Sequence, residues 1–228
     1  MTALLTERGI IFSGDMVPPT LDGRKNQTRR LLKHQPPSNS YRFDGLYCAP
    51  DKKFHARLVD RVTGHILTQA CPYGRPGDRL WVREAFHAYH WDEQRYVYRA
   101  SVTEPCRVRT QIESYEIGKW TSPRFMPKRA ARIWLEITGI RVERVQDIST
   151  PDCWAEGING SHPDNVCPRC CYTTRDAEEL MDHYFCEGPG PKTPREVYRD
   201  LWDSLNAKRA PWESNPWVWV IEFRRVKP

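Results

Sequence analysis

Apolar and polar positions alternate over several short stretches of the chain, and each predicts a strand. Residues 9–13, Gly-Ile-Ile-Phe-Ser, form the first. Leu80 to Glu84, Arg95 to Ala100, the long run from Ile133 to Val145, and Trp217 to Phe223 are the others. A helical period predicts three helices. The first spans 15–23, with Asp15 at its start, Pro18 and Pro19 in its first turn and Gly23 as its stop. The second spans 150–157, with Ser149 or Thr150 as cap, Pro151 at the first position and Glu156-Gly157 at the end. The third spans 194–206, with Val197, Leu201, Trp202 and Leu205 on one face. Residues 34–70 read as an irregular excursion with a hairpin near 54–68, residues 71–79 as a dense set of turn formers, and 101–125 as a loop. Separated strands with short helices and no β-α-β alternation predict an α+β fold, a small β-barrel with helical decoration.

Composition narrows this picture modestly. Of 228 residues, 39% are hydrophobic and 28% charged, so the core has to draw on the nine Trp, ten Tyr and seven Phe. The net charge of +6 suits a polyanionic partner, since basic patches supply phosphate affinity, though a solvated basic face explains it equally. The first residues show no secretory pattern and no apolar run reaches the roughly 20 residues of a membrane helix, which predicts a cytoplasmic protein with no membrane partner. In that compartment the eight Cys stay reduced, and clusters of them read as metal ligands.

One such cluster lies in a segment of distinct character, residues 159–192. Cys167 and Cys170 are followed by His183 and Cys186 in a C-x2-C-x12-H-x2-C spacing. A turn presents the two thiolates, and a short helix over 174–185 brings His183 and Cys186 back to complete a Cys3His set of the kind structural Zn2+ prefers. Cys171 is an alternative to Cys170. Four protein ligands leave no open position, so the expected zinc is a structural staple for an insert, with nucleic-acid contact as its second role. The remaining cysteines are scattered and read as free thiols, with Cys48 and Cys71 a conceivable second pair.

The densest polar chemistry is the run Gly23-Arg24-Lys25-Asn26-Gln27-Thr28-Arg29-Arg30. It reads either as a solvated basic loop at a helix end or as a phosphate and nucleotide clamp. Together with Pro76-Gly77-Asp78-Arg79-Leu80-Trp81-Val82-Arg83-Glu84 and the terminal Trp217-Val218-Trp219-Val220-Ile221-Glu222-Phe223, in this order, it resembles the ASCH family, and in its longer form ASCH proteins encoded by phages and prophages. The resemblance covers about 9–32, 71–100, 125–158 and 216–225. It implies a PUA-like barrel built from 1–158 and 193–228, with 159–192 as a zinc-binding insert, and a cleft for a modified nucleoside or for RNA or DNA.

The resemblance also implies an activity, because one bacterial ASCH protein is an amidohydrolase that removes the acyl group from N4-acetylcytidine. By motif, Lys25 and Thr28 match two of its three catalytic residues, and by position Glu156 matches the third. That relative is shorter than this chain and lacks a zinc insert. A threonine hydroxyl is a poor nucleophile until a base takes its proton. Lysine serves if burial or the neighbouring Arg24, Arg29 and Arg30 depress its pKa, and a carboxylate can then protonate the leaving amine. Glu84 is an alternative carboxylate, or else the partner of a buried arginine. Trp81 and Tyr98 stack on a base or pack in the core, and Arg83, Arg129 and Arg132 hold phosphate or lie on a solvated edge. The competing expectation is a non-catalytic RNA- or DNA-binding adaptor. A nuclease ranks last, since no metal-binding carboxylate cluster stands out.

Overall fold

The computed structural model describes residues 5–51, 53–89, 92–102, 107–109, 114–116, 119–158 and 192–227. In chain order the elements are β1 (Glu7–Ile11), α1 (Val17–Leu21), β2 (Gln27–Leu31), β3 (Tyr41–Cys48), β4 (Phe54–Asp60), β5 (Ile66–Ala70), β6 (Arg79–Arg83), β7 (Phe86–Tyr89), β8 (Asp92–Tyr98), β9 (Arg107–Arg109), β10 (Ser114–Glu116), β11 (Trp134–Arg144), α2 (Thr150–Ala155), α3 (Pro194–Asn206) and β12 (Trp217–Val226). Strands dominate and the helices are few and short, a mixed α/β architecture. The insert ligands Cys167, Cys170, His183 and Cys186, and Cys171 beside them, lie outside the described residues.

The organising sheet has five strands in the order β1-β6-β11-β12-β2. β1 runs parallel to β6, and the other neighbours are antiparallel. Two further sheets, β3-β4-β5 and β7-β8, are separate ladders, and β9 pairs with β10. β12 lies between β11 and β2 and is buried on both faces, which is why it reads as a continuous apolar run rather than an alternation. Trp217, Trp219, Ile221 and Phe223 face one core with Leu80, Val82, Leu135 and Ile137, and β3-β4-β5 covers that core with Tyr41, Ala56 and Leu58. Val218 and Val220 face a second core, where Tyr198 and Trp202 of α3 and Cys153 of α2 pack. Fully burying one such apolar side chain contributes roughly 2 kcal/mol, so the two-faced β12 is the strongest single element.

Among the described residues no backbone ladder joins β1 to β2, so these strands are the two edges of the sheet. The sheet nevertheless curls enough to bring them together: Arg30 Nη2 of β2 donates to the Ile11 carbonyl of β1 at 2.6 Å.

Most expected elements appear near their expected places, including the capped α2, where Ser149 Oγ accepts from the Asp152 amide at 3.2 Å, and α3, closed by a Thr193–Glu196 capping box. Three expectations change. Residues 41–70 form the ordered sheet β3-β4-β5 rather than an irregular excursion. The basic run does not remain a loop after α1; its second half is the strand β2. The expected first helix is shorter, a 3-10 turn at Gly14–Met16 leading into α1.

Candidate active site in a pocket at the β2 edge

A pocket of about 370 Å³ lies along the free edge of β2. Ile11, Phe12 and Ser13 at the end of β1 form one wall, and Tyr198, Leu201, Trp202 and Leu205 of α3 form another. Lys25, Thr28, Arg29, Arg30 and Glu156 supply its polar lining.

The segment that carries Lys25 is fixed by backbone bonds. Lys25 N–H donates to the Pro19 carbonyl and Asn26 N–H to the Ala155 carbonyl at the end of α2, both at 2.9 Å. Gly157 follows α2 at φ +81°, a left-handed C-terminal stop that favours glycine. A Cβ there would sit 2.8 Å from Pro19 Cβ and 2.9 Å from Lys25 Cβ, so the bare backbone also permits the close approach. The end of α2 therefore docks against the Lys25 turn, and Glu156 meets Lys25.

Lys25 Nζ lies 2.7 Å from Glu156 Oε2. It also donates to the carbonyls of Gln27 and Glu156, both at 2.8 Å. Both residues are buried, at 3% exposure each. Burial pushes the Lys25 ammonium below its ordinary value; Glu156 pulls in the opposite direction, and Arg30 and Arg29 add to the lowering. Thr28 is buried at 4% and faces the same cavity, but its hydroxyl makes no hydrogen bond among the described residues, to Lys25 or to any other group.

Arg29 holds the carboxylates behind this pair. Its guanidinium reaches Glu143 Oε1 at 2.5 Å, Asp152 Oδ2 at 3.0 Å and Glu156 Oε1 at 3.4 Å. Burial opposes its charge, yet Glu156, Tyr198 and Glu143 together raise its pKa. Arg141 and Gln27 also bind Asp152. Burial raises the Asp152 carboxyl, but Gln27, Arg29 and Arg141 outweigh it and hold it at about 2. Cys153 in the same helix is a buried thiol, pushed up mainly by desolvation to about 11, and stays protonated at neutral pH.

The other anticipated residues stand apart from the pocket lining. Glu84 is buried at 1% and bidentate with Arg132, Nε to Oε1 at 2.7 Å and Nη2 to Oε2 at 2.8 Å. Arg132 also lies over the Tyr98 ring at 4.1 Å and donates to Ser101. Arg129 donates to the Tyr96 hydroxyl and exposed Arg24 pairs with Asp22. Trp81 lies on the opposite side of β1, under the Arg83 guanidinium at 4.9 Å. The aromatic walls that the sequence reading did not assign to the site are Phe12, Tyr198 and Trp202. The i, i+4 spacing of Tyr198 and Trp202 was the signal, but it reads as core, and Tyr198 does pack there with Trp212. Ser13 contributes a buried hydroxyl that has no partner among the described residues.

Cys48 is exposed and Cys71 buried, and no group of three or more His, Cys, Asp or Glu among the described residues is disposed to hold a metal ion. No described helix is long and apolar enough to cross a membrane.

Comparison of the chain with protein-family models, curated proteins and solved structures returned no match. The functional reading therefore rests on the pocket itself.

Proposed function

We propose that the chain is a nucleoside- or nucleic-acid-directed protein of the ASCH type, with a PUA-like barrel, and that the pocket is an amidohydrolase centre for N4-acylated cytosine. The observation that carries this reading is the convergence of Lys25, Thr28 and Glu156 on one cavity, with a buried 2.7 Å contact between the first and last. The approach of β1 to β2 through Arg30 and the Ile11 carbonyl supports the barrel, whose closure lies at this gap. The zinc staple of 159–192 belongs to the same proposal, and stoichiometric zinc in the purified protein, lost on Cys167→Ser, is its test.

A balanced reaction can be written for these groups. Low dielectric favours a neutral pair, so the Lys25 proton passes to Glu156 Oε2 when substrate displaces water. The neutral Lys25 amine takes the proton of Thr28 as its Oγ attacks the acyl carbonyl. The C–N4 bond breaks, Glu156 gives its proton to N4, and the cytosine leaves with an acyl-threonine behind it. Glu156 then takes a proton from water, hydroxide adds to the ester, and Thr28 departs with the proton of Lys25. The carboxylic acid leaves and the neutral pair is restored. Arg29 keeps Glu156 oriented throughout, and Phe12, Tyr198 and Trp202 offer apolar walls for a base.

The full chain, incubated with N4-acetylcytidine, is expected to release cytidine and acetate. No release from a panel of N4-acylated cytosine nucleosides overturns the reading. The saturation of Lys25 by three acceptors favours a second reading, a non-catalytic RNA- or DNA-binding adaptor, in which the same groups only grip a ligand. Binding of the nucleoside without turnover selects it.

A further inference from the structure

The arginines of this protein divide by what neutralises them. Arg29, Arg132, Arg141 and Arg224 each meet at least one carboxylate. Arg30, Arg79 and Arg83 meet none among the described residues, and the Nε of each is buried without a partner. Arg30 uses only the Ile11 carbonyl and the Phe12 ring; Arg83 uses only the Arg124 carbonyl and the Trp81 ring. Burying a guanidinium edge without a counter-charge is costly, and an anionic ligand removes that cost.

Arg79 and Arg83 share the face of β6 turned away from the first core, whereas Arg30 lies on the core face with Trp219 and lines the pocket at the gap between β1 and β2. Arg30 and Arg83 flank Ile11 at the pocket wall, Arg30 by its bond to the Ile11 carbonyl and Arg83 as the register partner of Ile11. Further along β6, Trp81 and then Arg79 share the Arg83 face. At a rise of about 3.3 Å per residue, each step of two moves roughly 6.6 Å from the pocket. Trp134 of β11 is the register partner of Trp81, and Lys128 lies over it at 5.3 Å. Gly9 of β1 leaves room for this arrangement: a Cβ there would sit 2.5 Å from Arg83 Nε. The acidic groups nearby are already paired, Glu7 with Lys128 and Glu136 with Arg224. Cations interleaved with aromatic faces are how single strands are held without sequence readout.

We infer that the pocket takes its base from a single-stranded nucleic acid, with phosphates held by Arg30 and Arg83 at the rim and the adjoining nucleotides running past Trp81 toward Arg79. This rests on the pocket as a nucleobase site but not on hydrolysis.

The test uses the full chain and a fluorescein-labelled nine-nucleotide single strand of cytidines, read by anisotropy, with turnover of the same strand carrying one N4-acetylcytidine read in parallel. The strand is expected to bind at least 10-fold tighter than cytidine monophosphate at low salt. Arg79→Gln/Arg83→Gln is expected to weaken it about 10-fold and to flatten the log–log salt slope by roughly 1.4, two phosphates at 0.7 each. Far-ultraviolet circular dichroism checks that the variant is folded. Equal affinity for the monophosphate, equal affinity for a duplex of the same length, or an unchanged salt slope in the variant overturns the inference. Turnover of the free nucleoside without strand binding sinks it and leaves the amidohydrolase standing. Salt-sensitive, variant-sensitive strand binding without turnover sustains it and removes the hydrolase.

Discussion

Two buried cation–carboxylate pairs sit in this fold with opposite consequences. Glu84 and Arg132 form a bidentate pair that Tyr98 and Ser101 close over. Lys25 and Glu156 form a deeper pair, with side chains 2% and 5% exposed, but it borders a cavity that also takes in Thr28, whose hydroxyl has no partner among the described residues. The carboxylate is buried in both, although the Arg132 side chain is 26% exposed. What separates them is a third group and a space for a reactant. A buried ion pair is by itself weak evidence of either stability or activity, because desolvation offsets much of the attraction.

That contrast can be broken most sharply at Thr28. Thr28→Ala is expected to reduce turnover of N4-acetylcytidine by about 10^4-fold while barely moving the unfolding midpoint, since nucleophile loss in such constellations has effects of that order. Retained turnover would remove Thr28 from the chemistry. On the other pair the effect falls on stability: Arg132→Ala leaves the Glu84 carboxylate buried and unpaired and is expected to cost about 3 kcal/mol in denaturant unfolding. A loss below about 1 kcal/mol would mean water reaches Glu84.

A double replacement sharpens the comparison further. Lys25→Met/Glu156→Leu removes both charges together and is expected to shift stability by less than about 2 kcal/mol in either direction while abolishing turnover. Failure of that variant to fold would place the pair with Glu84–Arg132 as scaffold. Acid sensitivity is a smaller effect. Asp152, held at about 2, contributes stability that is fully present above its unfolded value near 4 and is lost as pH falls through about 2. Asp152→Asn is therefore expected to remove part of the acid-side decline in a tryptophan-fluorescence titration. An unchanged decline assigns it to other carboxylates. The smallest change is Ser149→Ala, a lost cap costing about 1 kcal/mol in thermal unfolding, and a negligible loss there means α2 is held by packing alone.

How legible these regions were in the sequence depends on the range of the interactions that form them. β6, β11, β12, α2 and α3 follow from local periodicity and caps, and the structure has them within a few residues of expectation. β2 was hidden because its polar side chains are buried. Gln27 and Arg29 look solvated, and only Glu143, Asp152 and Glu156, more than a hundred positions away, make their burial tolerable. The sheet β3-β4-β5 was missed apart from its hairpin because its outward positions are charged and irregular, with a bulge between Phe43 and Gly45. At the site, the Lys25–Thr28 spacing was visible, but the aromatic wall on α3 has the same periodicity as a core face. The split between neutralised and unneutralised arginines has no local signature at all.

The central place of β12 has a consequence for synthesis. Thr28 and Arg30 leave the ribosome about 190 residues ahead of their sheet neighbours Ile221 and Trp219. Until then β2 lacks its β12 neighbour, and the Lys25 turn rests on the Pro19 carbonyl and the end of α2. The nascent chain carries the Lys25–Thr28 segment unassembled while those residues are made, so the pocket is completed only when β12 arrives. A ribosome stalled with β12 still in the exit tunnel should hold a chain in which this pocket is not yet assembled.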